Sequence, residues 1–190
     1  LIVDGRGTTV VPGFVDSHTH IVFAGDRREE LARRLRGATY AEIAAGGGGI
    51  VRTVTATRAA SEATLVDAAL PRLADALAQG TTTCEVKSGY GLDTATELKM
   101  LRAIRQLSAR QPVDLSATFM GAHEVPVEYR DRREAYVRLV IDEMLPAVAR
   151  EGGVEWNDVF CERGVFTPEE SRAILDAGKP LGLRPRIHAD

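Results

Sequence analysis

From Ser61 onward, the apolar positions of this chain alternate between a helical and a strand-like rhythm. Val66, Leu70, Leu73 and Leu77 recur on one helical stripe behind Ser61, a residue suited to cap a helix start. They predict a helix from Ser61 to Gln79, stopped by Gly80. The β-branched run Thr81–Lys87 (TTTCEVK) predicts a strand. Thr94 and Glu97 have the spacing of a capping box and predict a helix reaching Ala109. A strand over Val113–Met120, a long helix over Arg132–Ala149 and a strand over Val154–Phe160 follow. Thr167-Pro168-Glu169-Glu170 combines a cap, a proline at the first helical position and an acidic third position. It predicts a helix ending near Gly182, with Leu183–His188 as the last strand.

The first sixty residues are less regular. Val11, Phe14 and Val15 predict a short buried strand, entered through Pro12-Gly13 and ending at His18 and His20. The charged stretch Asp26–Arg36 predicts a helix whose buried side is Leu31 and Leu35, at i, i+4. Thr39 is placed to cap another short helix through Ala45. The glycines Gly46–Gly49 predict a break and a flexible loop near a site; no Gly-Lys-Ser/Thr follows, which excludes a phosphate loop. Leu1–Val10 reads as the remnant of a small β element.

Strands alternating with helices are the mark of βαβ units around a parallel sheet, so the fold class is α/β. Open sheets and (β/α) barrels both satisfy the pattern, and a complete barrel takes roughly 250 residues. The chain stops just after its fifth expected strand. The expectation is therefore a partial (β/α)8 TIM-type barrel: residues 1–10 as a β remnant, and residues 11–190 as the first five βα units of a larger protein.

Composition narrows the partners. With 44% hydrophobic and 27% charged residues the chain reads as globular, and a net charge of -3 gives no reason to expect nucleic acid or an anionic membrane. No apolar run reaches the ~18 residues of a spanning helix, and the first residues lack the pattern of a signal peptide. Cys84 and Cys161 lie in separate strand-like runs without a C-x-x-C pairing, as expected of free thiols in a reducing cytoplasm.

The chemistry gathers on histidine. Residues two apart on a strand face the same way, so His18 and His20 present both imidazoles to one spot, the geometry of two ligands to one metal. The bland alternative is a pair of strand-end residues hydrogen-bonded to loops. All four histidines of the chain fall at C-terminal strand ends: His18 and His20 on the first, His123 on the third, His188 on the fifth. Active sites of βα folds form at those ends. His188 can complete a three-histidine site with water; His123 is a fourth ligand or a substrate donor. Asp16 and Asp190 are candidates to orient imidazoles, or simply to cap loops. Arg27 could clamp a carboxylate, although by charge pattern it reads as a solvated member of Arg27-Arg28-Glu29-Glu30. Tyr90, in the Gly-flanked loop Lys87-Ser-Gly-Tyr-Gly91, could donate to a substrate oxygen or pack on its loop. No general base is evident.

The run PGFVDSHTH, followed by a βα pattern and a strand-end histidine, resembles the amidohydrolase superfamily of metal-dependent barrels. More narrowly, HTHIVFAGDRREE, GGGGI, EVKSGYGLDTATELKMLR, FMGAHEVP, DVFCERGVF and IHAD together resemble the imidazolonepropionase family of histidine degradation, over essentially the whole chain. That resemblance implies metal-dependent hydrolysis of the cyclic amide of 4-imidazolone-5-propanoate to N-formimidoyl-L-glutamate, by a cytoplasmic protein that is a homodimer at full length. It implies His18, His20 and His188 as ligands of one zinc or iron ion. Arg27, Tyr90 and His123 become substrate-binding residues. The fourth strand ends Phe160-Cys161-Glu162 without a lysine, which argues for a mononuclear site; Lys87, on another strand, is not the modified lysine of binuclear relatives. The family's aspartate ligand, a further histidine and its general base are expected beyond Asp190. Two alternatives stay open: a sister amidohydrolase such as a cyclic amidine deaminase, and a piece that is inactive and prone to associate on its own.

Overall fold

Five strands pair in parallel and in sequence order: β1 (Phe14–Thr19), β2 (Thr81–Lys87), β3 (Asp114–Ala122), β4 (Trp156–Phe160) and β5 (Arg184–His188). This is a computed structural model, and it describes residues 2, 4–39, 42, 43 and 47–189. Consecutive strand order without reversal is that of a singly wound barrel, whereas doubly wound sheets reverse at a switch point. Adjacent strands lie ~4.8 Å apart, so a flat sheet of this size would hold its edges ~19 Å apart. Yet the ring of His18 on β1 is centred 4.9 Å from that of His188 on β5. Lys87 of β2 also pairs with Asp158 of β4, and Glu85 of β2 with Arg186 of β5. The sheet is curled into a half-barrel, compatible with part of a (β/α)8 barrel.

The helices cover its convex side. In chain order they are α1 (Arg28–Leu35), α2 (Ile50–Ala59), α3 (Glu62–Ala78), α4 (Thr94–Ser108), α5 (Arg133–Arg138), α6 (Leu145–Glu151) and α7 (Pro168–Gly178). Outward residues Cys84, Val86, Phe119 and Val159 join Leu65, Leu73, Met100, Ile104, Met144 and Ile174 in one buried cluster. Alternation turns the intervening residues inward, and there the lining is polar: Glu85, Lys87, Thr118 and Asp158 are all buried. Glu85 accepts from Lys87 Nζ at 2.8 Å and from Thr118 Oγ1 at 2.6 Å.

Several expectations need correction. β1 is present but not buried: Phe14 and Val15 are 60% and 69% exposed, because β1 is an edge of the half-barrel. In α1 the expected buried side, Leu31 and Leu35, faces outward, and the buried residue is Glu30, which accepts the Gly49 N–H at 3.0 Å. The capping box is not built from Thr94: Asp93 caps α4, accepting from Thr96 N–H at 2.7 Å, while Thr94 donates to Glu143 Oε1. The long helix over Arg132–Ala149 is broken into a 3-10 turn (Val127–Arg132), α5, a π-helical stretch (Leu139–Met144) and α6. Pro146 accounts for the π stretch, since it cannot donate to the carbonyl four residues back. Helix α2 was not expected at all. At Thr39 the described residues bear out a cap, with Glu42 N–H donating to Thr39 Oγ1 and Thr39 N–H to Glu42 Oε2; the rest of that expected helix lies in part outside the described residues, as do Leu1 and Val3 of the N-terminal remnant. Thr167 and Glu170 form the full capping box expected of them.

Candidate functional site at the strand ends

All four histidines meet at the C-terminal rim of the curled sheet. His18 lies in β1 with His20 just beyond, His123 follows β3, and His188 ends β5. The ring centroids of His18 lie 5.9 Å from those of His20 and 4.9 Å from those of His188. His20 and His123 are stacked, 4.5 Å apart and 11° from parallel. Tyr90 sits 5.2 Å from His20 and 5.3 Å from His123, and Phe160 4.7 Å from His188. Strand alternation brings His18 and His20 to one side, and the curl of the sheet delivers His188.

Hydrogen bonds define the state of two of these rings. His20 Nδ1 is 3.0 Å from the Ser88 carbonyl oxygen, and His123 Nδ1 is 2.8 Å from the Gly89 carbonyl oxygen. A carbonyl only accepts, so each ring donates through Nδ1–H and keeps Nε2 as its lone-pair nitrogen. Burial pushes the pKa of His20 down to about 2, aided by the neighbouring His123 and His18. Burial likewise takes His123 to about 4, against the pull of the Gly89 carbonyl. The pKa of His18 is lowered by burial, then by the charges of Lys87 and His188. Neutral imidazoles are the form in which histidine ligates metals.

As it stands, no group of three or more His, Cys, Asp or Glu side chains among the described residues is arranged to hold a metal ion. Neutral imidazole nitrogen is nonetheless a donor that zinc, copper, iron and nickel all accept. Asp16 does not orient an imidazole: its carboxylate accepts the backbone N–H of His18 at 3.3 Å. Asp190 lies outside the described residues. Lys87 sits below the rings, tied to Glu85 and Asp158.

Arg27 and Tyr90 share a cavity of about 230 Å³ with Phe23, Asp26 and Thr53. The charge run around Arg27 is resolved residue by residue. Arg28 pairs with Asp26 at 3.7 Å, Glu29 with Arg52 at 3.4 Å, and Glu30 is buried. Arg27 makes no ion pair among the described residues and turns to the cavity. Burial raises the pKa of the Tyr90 phenol, with Arg27 opposing, so the phenol stays protonated and able to donate. Arg72 of α3 fixes the loop between these elements, donating to the carbonyls of Ile21 and Phe23 at 2.8 and 3.2 Å under the Phe23 ring.

Reading the sequence alone missed the residues that hold the site from behind: the carbonyls of Ser88 and Gly89, the buried Glu97, and the Glu85–Lys87–Asp158 cluster. The glycines flanking Tyr90 were the available signal for the first. Nothing in the sequence pattern set Glu97 apart from an ordinary cap.

No family profile matches the chain. Curated relatives do. The chain is 62% identical over 190 residues to the imidazolonepropionase of Symbiobacterium thermophilum, and 61% identical over 189 residues to that of Myxococcus xanthus. A third imidazolonepropionase, from Geobacillus sp. (strain WCH70), is 55% identical over 189 residues. The chain is matched over its whole length in each case and spans about 45% of each relative. The likeness read from its motifs is thus found again in whole-chain comparison.

Proposed function

We propose that the chain is the part of an imidazolonepropionase that carries the first five βα units of an amidohydrolase-type barrel, with residues 1–10 left from a flanking β-sandwich. The full-length protein then hydrolyses the cyclic amide of 4-imidazolone-5-propanoate to N-formimidoyl-L-glutamate. The observation that carries this reading is the junction of two sites. A cavity into which Arg27 turns with no ion-pair partner among the described residues adjoins, through Tyr90, the imidazoles of His18, His20 and His123, whose pKa values are all lowered.

His18, His20 and His188 would hold one zinc or iron ion, joined by ligands from outside this chain. When bound, that ion supplies Lewis-acid polarisation of the amide and activation of water. This chain's own side chains bind and orient. Arg27 takes the propionate with its fork of donors. Tyr90, kept protonated, donates to a ring oxygen, and His123 Nε2 accepts from a ring N–H. Holding the ring in one pose is itself a large part of catalysis.

Relatives more than twice as long and two exposed sheet edges favour a companion reading: the 190-residue chain alone is inactive and self-associating. The full-length protein is read as a cytoplasmic homodimer with a small-molecule substrate; among the described residues no helix is long and apolar enough to cross a membrane. Turnover by the full-length protein tests the function. Formimidoylglutamate from imidazolonepropionate supports it, whereas ammonia release from purine or pyrimidine amines with no such turnover replaces it with the deaminase.

A further inference from the structure

Glu97 is fully buried one turn inside α4, on the far side of the Ser88–Leu92 loop from the histidines. Its carboxylate is surrounded by donors. Gly89 N–H approaches at 3.0 and 3.2 Å, Gly91 N–H at 2.8 Å and Leu92 N–H at 2.9 Å, with the Ser88 hydroxyl beside them. Burial dominates and raises the pKa of this carboxyl, while the Ser88 hydroxyl and the Leu92, Gly91 and Gly89 N–H groups pull the other way by favouring the charged form. The loop's carbonyls are also placed. Arg58 Nε donates to Gly91 O at 2.7 Å and its Nη2 to Leu92 O at 3.1 Å, while the Ser88 and Gly89 carbonyls face His20 and His123.

The backbone is bent to this arrangement. Leu92, buried and not glycine, takes φ +56°, a left-handed conformation retained only where its surroundings impose it. A Cβ on Gly91 would lie 2.7 Å from Glu97 N and 2.9 Å from its Oε1, so only glycine allows the carboxylate so close.

We propose that Glu97 is a positioning residue for the histidine site. By gathering the N–H groups of Gly89, Gly91 and Leu92, it turns the Ser88 and Gly89 carbonyls toward the site and so fixes His20 and His123 as Nδ1–H tautomers. A single buried carboxylate thereby sets which nitrogen two imidazoles offer. Its catalytic meaning rests on the function proposed above, but the tautomers are measurable without it.

The test uses full-length protein labelled with 15N-histidine, stripped of metal by chelation and assigned by single histidine replacements. Long-range 1H–15N correlations distinguish Nδ1–H from Nε2–H. His20 and His123 are expected as Nδ1–H in the wild type. In Glu97→Gln, which turns an amide donor toward backbone donors, both are expected to become tautomer mixtures while His188 is unchanged. Glu97→Asp, which keeps the charge but withdraws it by one methylene, should do the same if the glutamine variant does not fold. Nε2–H at either ring in the wild type overturns the proposal, as does an unchanged Nδ1–H pattern in a folded variant. Wild-type Nδ1–H rings in a protein without hydrolase activity would leave it standing and remove only the function.

Discussion

The imidazole of His123 lies flat on that of His20, and the residue that makes room for this is Gly89. The Gly89 backbone, at φ +104°, carries the carbonyl that His123 binds, and a Cβ there would lie 2.9 Å from both Cβ and Nδ1 of His123. Gly89→Ala therefore combines left-handed strain with a collision. It is expected to cost about 1–3 kcal/mol in urea unfolding and to lower turnover by displacing His123. Unchanged stability and activity would mean that the loop does not hold the ring.

Arg27 is the cation of its charge run that turns to the cavity with no partner among the described residues. A charge-assisted contact is worth about 1.5–3 kcal/mol, so Arg27→Ala in the full-length protein should raise KM for imidazolonepropionate roughly 10- to 100-fold. The change in kcat should be much smaller, because a clamp on the propionate would hold that group equally before and after the proposed ring opening. An unaltered KM would reject the clamp.

Glu170 closes the α7 capping box and receives Arg133 through two contacts, 2.7 and 2.8 Å. Burial acts to raise its pKa, but Arg133 and the Thr167 N–H outweigh that and leave it lowered. A depressed folded pKa stabilises above the unfolded carboxylate value, and the contribution fades as pH falls through the folded one. Glu170→Gln should thus cost about 1–2 kcal/mol at pH 7 and almost nothing near pH 2. A cost independent of pH would show that shape alone matters there.

Tyr136 is buried with its hydroxyl donating to the Gly121 carbonyl at 2.7 Å, two residues before His123. Tyr136→Phe leaves that carbonyl without its partner and should lower stability by about 1–2 kcal/mol, read from the urea midpoint at unchanged slope. A neutral result would imply that water replaces the phenol.

The parallel α/β plan was legible because local signals agreed with the fold. The β-branched Thr81–Lys87, enclosed by Gly80 and Ser88, became β2 with those bounds, and Thr167–Glu170 folded as its spacing required. Helix α2 was hidden by its own residues: Ile50, Val51, Thr53, Val54, Thr55 and Thr57 are β-branched and prefer strands. Packing overrides that preference. Thr57 Oγ1 accepts the Ala24 N–H at 3.1 Å, and Lys99 Nζ collects the carbonyls of Thr57, Arg58 and Ala60 at the helix end. The four histidines could be found from strand ends alone. Arg27 could not be told from a solvated charge, since only the three-dimensional partners of Arg28, Glu29 and Glu30 single it out. Glu97 was misread as a cap because its partners lie in the preceding loop rather than in its own first turn.

Metal content is the most direct test of the whole account. Full-length wild type, His18→Ala, His20→Ala and His188→Ala would be purified alike and assayed for zinc and iron by mass spectrometry. One ion per wild-type chain is expected, with loss of that ion from each folded variant. A His188→Ala protein that retains as much metal as the wild type would contradict a site shared between the two edges of the curled sheet.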